Sequence, residues 1–169
     1  MNNPDYDERQ SYWASLSERI RQEEDSISFD RFGYDHAWEL GARMVTMARE
    51  RGLPIAIAVM FGQQRVFHAA LAGSSATNDD WLQRKFAVVA KHDCSSYALS
   101  CRYRATGIEY HTASGYPRET YALAGGAVPL RVRGSLIGAV GVSGLEEDQD
   151  HALVIEMMQA YSARPADAH

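Results

Sequence analysis

The chain has 169 residues, 46% of them hydrophobic, and a formal net charge of −5. That length fits one domain, or one domain with a tail, and allows a full core. An acidic balance with no Lys/Arg run longer than two argues against a nucleic-acid surface. No apolar stretch approaches the roughly 20 residues that a membrane span needs. Two cysteines and the absence of a secretion signal in the polar start Met1–Asp5 point to a reducing cytoplasm as the expected compartment.

Residues 7–24 are charged, with Trp13, Leu16 and Ile20 at helical spacing. They predict a surface helix whose narrow apolar stripe packs on the domain or on a neighbouring subunit. Residues 26–29 alternate and suggest a short extended piece. Residues 35–51 predict a helix with Asp35 as N-cap and Leu40, Met44, Met47 and Ala48 on one face. Glu39 and Arg43 are spaced to pair at i,i+4. Gly52 ends this helix and Pro54 prevents its continuation.

Residues 54–60 predict a strand, Phe61–Gln64 a turn, and 65–71 the antiparallel return. Simple alternation puts Arg65, Phe67, Ala69 and Leu71 on one face and Val66, His68 and Ala70 on the other. After a loop at 73–76, Thr77 and Asp80 resemble a capping box. The following helix carries Leu82, Phe86, Val89 and Ala90 on one stripe and Trp81, Lys85, Val88 and His92 on another. A break at Asp93, Ser95 or Ser96 starts a further helix that Gly107 closes. Cys94 and Cys101, read as part of one helical segment, would lie about 10 Å apart along its axis, beyond the reach of a disulfide.

Residues 106–121 read as a loop over one end of the sheet, long enough to suggest a functional role. Residues 125–145 form the most distinctive stretch: two β-branched runs flank Arg133-Gly134-Ser135, with glycines at 125, 126, 134, 138, 141 and 144. They predict a second hairpin that feeds a last helix over 146–161, with Glu146–Asp150 at its positive end. Residues 162–169 read as a flexible tail. The order of elements indicates an α+β fold, with a central antiparallel sheet flanked by helices.

The spacing G-x-x-G-x-x-G at Gly138, Gly141 and Gly144 is not the G-x-G-x-x-G of a dinucleotide fold, and it lies inside a strand. Its simpler meaning is close backbone approach. Ser143-Gly144, just before a helix, could also present backbone N–H groups to an anion. Asn78-Asp79-Asp80 with Arg84 and Lys85 either cap and solvate a helix or bring cations to an acidic ligand. His68 is either a hydrogen-bonded structural histidine or a metal ligand, haem ligand or base. Cys94 is a plain buried thiol or, with His92 nearby, a nucleophile. No zinc-type spacing and no G-x-S-x-G occurs.

Several motifs occur in a fixed order: Arg51-Gly-Leu-Pro-Ile-Ala-Ile, Phe67-His-Ala-Ala-Leu, Asn78-Asp-Asp-Trp-Leu-Gln-Arg-Lys, Tyr121-Ala-Leu-Ala-Gly-Gly-Ala-Val-Pro-Leu-Arg-Val, Gly141-Val-Ser-Gly-Leu and Gln149-Asp-His-Ala-Leu-Val. Over residues 30–160 the chain therefore resembles the UPF0303 family, within the wider GlcG/HbpS-like, haem-degrading-domain group. The resemblance implies a profilin-like outline, homo-oligomers and haem as a possible cofactor. It divides the chain into a helical extension (1–29), one domain (30–161) and a tail (162–169). It suggests His68, Asn78, Asp79, Arg84, Lys85, Gly125, Gly126 and Ser143 as ligand-binding positions, with no metal site of the protein's own. The family pattern commonly has a histidine before the Gly-Gly pair; this chain has Ala124. Three functions follow as expectations: binding of an anionic small molecule, haem binding or breakdown with His68 on the iron, and an oligomeric scaffold. None involves nucleic acid or a membrane.

Overall fold

A computed structural model describes residues 4–164. Residues 165–169 of the expected tail, and the first three residues of the polar start, lie outside the described residues. In chain order the elements are α1 (Pro4–Asp25), α2 (Tyr34–Glu50), β1 (Ala56–Phe61), β2 (Gln64–Ala70), α3 (Ala76–His92), α4 (Ser96–Thr106), α5 (Tyr110–Ser114), β3 (Ala127–Val132), β4 (Ser135–Ser143) and α6 (Glu147–Ser162). The strands form one sheet in the order β2-β1-β4-β3, antiparallel throughout. The fold is α+β, as the pattern of elements predicts.

Side-chain size separates the two faces of the sheet. Ile57, Val59, Val128, Leu130, Val140 and Val142 form the larger core with Leu40 and Met44 of α2 and Val154 and Met158 of α6. The opposite face presents Ala56, Ala58, Ala127 and Ala139 to Leu82, Phe86 and Val89 of α3. Gly141 belongs to this small-residue face: a Cβ there would stand 2.7 Å from the Phe86 ring. Small residues on the sheet thus let α3 lie close against it, which brings its polar side chains to the end of β4.

Several local expectations are corrected. Gly33, not Asp35, is the N-cap of α2, and its N–H donates to His36 Nδ1 at 3.0 Å. Ser75, not Thr77, caps α3, where Asn78 Oδ1 accepts the Ser75 N–H at 2.8 Å. The polar pair three residues apart is thus Ser75 and Asn78, two positions before the expected box. Asp93 ends α3 in the left-handed conformation, and Ser95 starts α4 by accepting the Ala98 N–H at 3.0 Å. Cys94 therefore precedes α4 rather than sharing a helix with Cys101; both are free thiols. The stretch 106–121 is not all loop, because it contains α5. Of residues 26–29, only Phe29 pairs, as a parallel bridge to Val132.

A bulge changes the facing of β2. The register with β1 shifts between Val59 and Met60, so Arg65 pairs with Met60 and His68 with Ala58. Both then lie on the α3 side, where Arg65 donates to Gln83 and approaches Asp79 at 3.7 Å. Alternation alone places Arg65 with Phe67, since it cannot register an inserted residue.

The apolar stripe of α1 packs on α4 of the same chain. Ile20 is buried with Tyr97, Ala98 and Cys101, and Trp13 and Leu16 pack against them. Ser17 Oγ donates to the Ala98 carbonyl at 3.0 Å, and both carboxylate oxygens of Glu24 lie 3.2 Å from the Ser95 N–H, accepting it at the start of α4.

Candidate functional site

Two neighbouring clefts open beside α3. The larger, about 810 Å³, is bordered by Trp81, Arg84, Tyr103, His111 and Tyr121 among others. The smaller, about 260 Å³, is bordered by Asn78, Lys85, Ser143 and Asp150 among others. Trp81, Ala124 and Glu147 border both. Helical spacing produces this arrangement: Asn78, Trp81, Arg84 and Lys85 fall at i, i+3, i+6 and i+7, along one side of α3. The segment before β3 is tied alongside them, with the Ala122 N–H donating to the Arg84 carbonyl at 3.2 Å.

The floor of the smaller cleft is a buried ion pair. Lys85 Nζ lies 3.0 Å from Asp150 Oδ2, with the side chains 3% and 2% exposed. The ammonium also donates to the Val142 carbonyl at 3.3 Å. An ammonium carries three N–H donors; the third has no acceptor among the described residues, and Lys85 borders the cleft. Burial lowers the Lys85 pKa and raises that of Asp150, and their mutual attraction opposes both shifts. Asp150 further accepts the N–H groups of Leu145 at 3.0 Å and Gly144 at 3.4 Å. The anion expected at Ser143-Gly144 is therefore supplied by the chain itself. An external acceptor has the remaining Lys85 N–H, the Ser143 hydroxyl and the Asn78 amide, whose Nδ2 lies 3.5 Å from Ser143 Oγ.

The larger cleft combines aromatic rings with guanidinium groups. Arg104 pairs with Glu147, and Arg118 pairs with Glu109 at 2.8 Å. Arg84 pairs with no carboxylate among the described residues. It stacks 4.1 Å from the centre of the Trp81 ring and donates to the carbonyls of Asp80 and Arg118.

The predicted site residues separate into four places. Asn78, Lys85 and Ser143 meet in the smaller cleft, and Arg84 borders the larger one. Gly125 and Gly126 border neither. Instead they let backbone and side chains pass close by: a Cβ at Gly125 would fall 1.9 Å from the Glu147 carbonyl, and one at Gly126, where φ is +122°, 2.7 Å from Lys85 Nζ. His68 and Asp79 also border neither cleft; they bond to each other at 2.6 Å across β2 and α3. The sequence reading missed Trp81 as a ring for Arg84, and it missed Tyr103, His111 and Tyr121. Arg84 at i+3 from Trp81 was a usable signal for the first. The others reach the cleft only through the packing of α4, α5 and the segment before β3.

The single antiparallel sheet with helices on both faces makes this an α+β protein of the HbpS-like fold. Residues 32–159 match the family described as haem degrading protein HbpS-like. The chain is 41% identical to a UPF0303 protein of Streptomyces avermitilis over 147 residues, covering 86% of this chain and 90% of the relative. It is 35% identical to one of Zymomonas mobilis over 149 residues, covering 88% and 80%. The chain belongs to the UPF0303 family. Among solved structures, that of Ybr137w superposes with a TM-score of 0.79 at 24% identity, over 86% of this chain and 87% of that one. HbpS follows at 0.63 and 18%, over 79% and 92%. PduOC, crystallised as a complex with heme, gives 0.63 and 17%, over 75% and 91%. These likenesses are of fold. No helix among the described residues is long and apolar enough to cross a membrane.

Proposed function

We propose that this protein binds an anionic, flat small molecule across the two clefts. The observation that carries this reading is Arg84, a cation without a carboxylate partner among the described residues, laid on Trp81 at the edge of an 810 Å³ cleft. A guanidinium held this way presents its remaining donors to a carboxylate or phosphate. Tyr103 and Tyr121 offer ring faces to the body of the ligand. Asn78, Lys85 and Ser143 take an acceptor group at its other end. Ala124 borders both clefts, so its small side chain keeps the passage between them open. The test is calorimetry with aromatic carboxylates such as 2-naphthoate, against the corresponding amides. Binding should be selective for the carboxylate and weaken roughly tenfold or more in Arg84→Gln, the worth of one charged hydrogen bond. Ala124→Phe should weaken elongated dicarboxylates more than naphthoate. Binding that ignores charge, or that Arg84→Gln leaves intact, would end this reading.

One observation favours haem as a second reading. His111 borders the larger cleft, with its Nδ1 2.9 Å from the Tyr116 carbonyl. That bond sets the ring as it is set in many metal-binding histidines, leaving Nε2 for a metal. The donor set of the cleft suits the group: one histidine nitrogen, aromatic walls, and Arg84 for a propionate. His68, the expected iron ligand, has its Nε2 engaged by Asp79 outside both clefts. Haem, when bound, would supply redox chemistry at iron; the chain would supply a ligand nitrogen from His111, the walls and the counter-charge. Titration with haemin should give a Soret shift that His111→Ala abolishes and His68→Ala leaves unchanged. Loss of the shift in the His68 variant alone would place the iron elsewhere. Homo-oligomers and a cytoplasmic location accompany both readings.

A further inference from the structure

Away from both clefts, a third cavity of about 150 Å³ lies between α1 and the start of α4, bordered by Ser17, Arg21, His92, Cys94 and Arg102 among others. Arg21 comes from α1 and Arg102 from α4, eighty-one positions apart in the chain. Tertiary packing alone brings them to one cavity. Neither enters an ion pair or a hydrogen bond with another described residue, and both are exposed to solvent at the mouth of the cavity.

The carboxylates around this cavity are committed elsewhere. Asp93, which also borders it, is held by Arg131 at 2.9 Å. Glu24 caps α4 through the Ser95 N–H. His92 is tied through Nε2 to the Tyr110 hydroxyl at 2.9 Å, which leaves its Nδ1 for another partner. Its pKa is lowered by burial first and then by the charges of Arg102 and Lys91. The Glu24 carboxylate acts on the Cys94 thiol from one side, and the three guanidinium groups of Arg102, Arg21 and Arg131 oppose it and outnumber the carboxylates of Glu24 and Asp93. The cavity is thus a small positive concavity in an acidic protein.

We propose that this cavity binds a single tetrahedral oxyanion, phosphate or sulfate, held between the guanidinium groups of Arg21 and Arg102. The volume suits one such ion, and two planar donor forks from different helices suit its geometry. The bound ion ties α1 to α4, adding to the bonds from Ser17 and Glu24. Cys94 is a wall and not a reagent, because burial pushes its thiol up to about 11, where little thiolate exists at neutral pH. The site is independent of Arg84 and of the ligand proposed for the clefts beside α3.

The test is calorimetric titration of the full-length protein with potassium phosphate, at constant ionic strength set with potassium chloride. Parallel titrations use potassium sulfate and glycerol 3-phosphate. Inorganic phosphate should bind at one site. Arg21→Gln and Arg102→Gln should each weaken it roughly tenfold or more, while Arg84→Gln should not. A stronger response to glycerol 3-phosphate would identify the natural source as a phosphoryl group on a larger molecule, held by the same arginines. The ring-proton NMR signal of His92, assigned with His92→Gln, should titrate at higher pH when phosphate is present, since a nearby anion favours the charged ring. Both arginines lie outside the core, so far-UV circular dichroism should show both variants folded. No heat beyond the chloride control, or unchanged binding in the double variant, would overturn the proposal.

Discussion

His151 should make this protein sensitive to acid, and replacing it should remove that sensitivity. It lies in α6, is 3% exposed, and has no hydrogen-bond partner on either ring nitrogen among the described residues. The ring of Tyr97 lies against it, 5.3 Å away between centroids. Burial lowers its pKa to about 4, against about 6.5 in an unfolded chain. Above the unfolded value both states are neutral, and the group contributes no pH dependence. As pH falls from about 6.5 towards 4, the unfolded chain takes up a proton that the native ring refuses, so stability is lost. Integrated to pH 5, this linkage amounts to about 2 kcal/mol. Two unpaired buried nitrogens cost a further ~1 kcal/mol or more at any pH. His151→Leu should therefore be more stable than wild type at pH 7.5, with a margin that widens by about 2 kcal/mol at pH 5.0. Urea unfolding of both proteins at the two pH values measures this directly, because the other titrating groups cancel in the difference. A margin that does not change between pH 7.5 and 5.0 would show that His151 is hydrated or partnered in solution.

Two further outcomes follow from the site and the sheet. Lys85→Met should cost about 3–5 kcal/mol at pH 7 by leaving the Asp150 carboxylate buried without its cation. Asp150 already has a raised pKa from burial, and losing Lys85 raises it further. The native variant then takes up a proton before the unfolded chain does, so its deficit in urea should shrink as pH falls from 7 towards 5; a constant deficit would contradict this. Gly141→Val should cost about 1–3 kcal/mol by overpacking, since its Cβ would meet Phe86 at 2.7 Å. Thermal melts should show the loss, and Gly141→Val with Phe86→Leu should recover part of it; no recovery would place the strain elsewhere.

Local signals carried much of the architecture. The alternation in β1, the Gly52 and Pro54 stop, and the turn at Arg133-Gly134, where φ is +50° and +81°, are legible because each depends on backbone preferences within a few residues. The site was legible only in part. Asn78, Arg84 and Lys85 are visible as polar side chains at helical spacing. That Asp150 would occupy the backbone donors at Gly144 and Leu145 is not, because it lies sixty-five positions from Lys85 and reads as an ordinary acidic first turn of α6.

By itself the sequence determined the four strands and every helix but the short α5, the apolar face of the longer helices, and, through its ordered motifs, the family. Tertiary structure decided the rest: the bulge that turns Arg65 towards α3, the separation of His68 from the clefts, the closing of the α6 anion site by Asp150, and the meeting of Arg21 with Arg102. The physical reason is range. Propensity, capping and periodicity act over a few residues, whereas an ion pair or cavity forms between side chains whose distance along the chain says nothing about their distance in space.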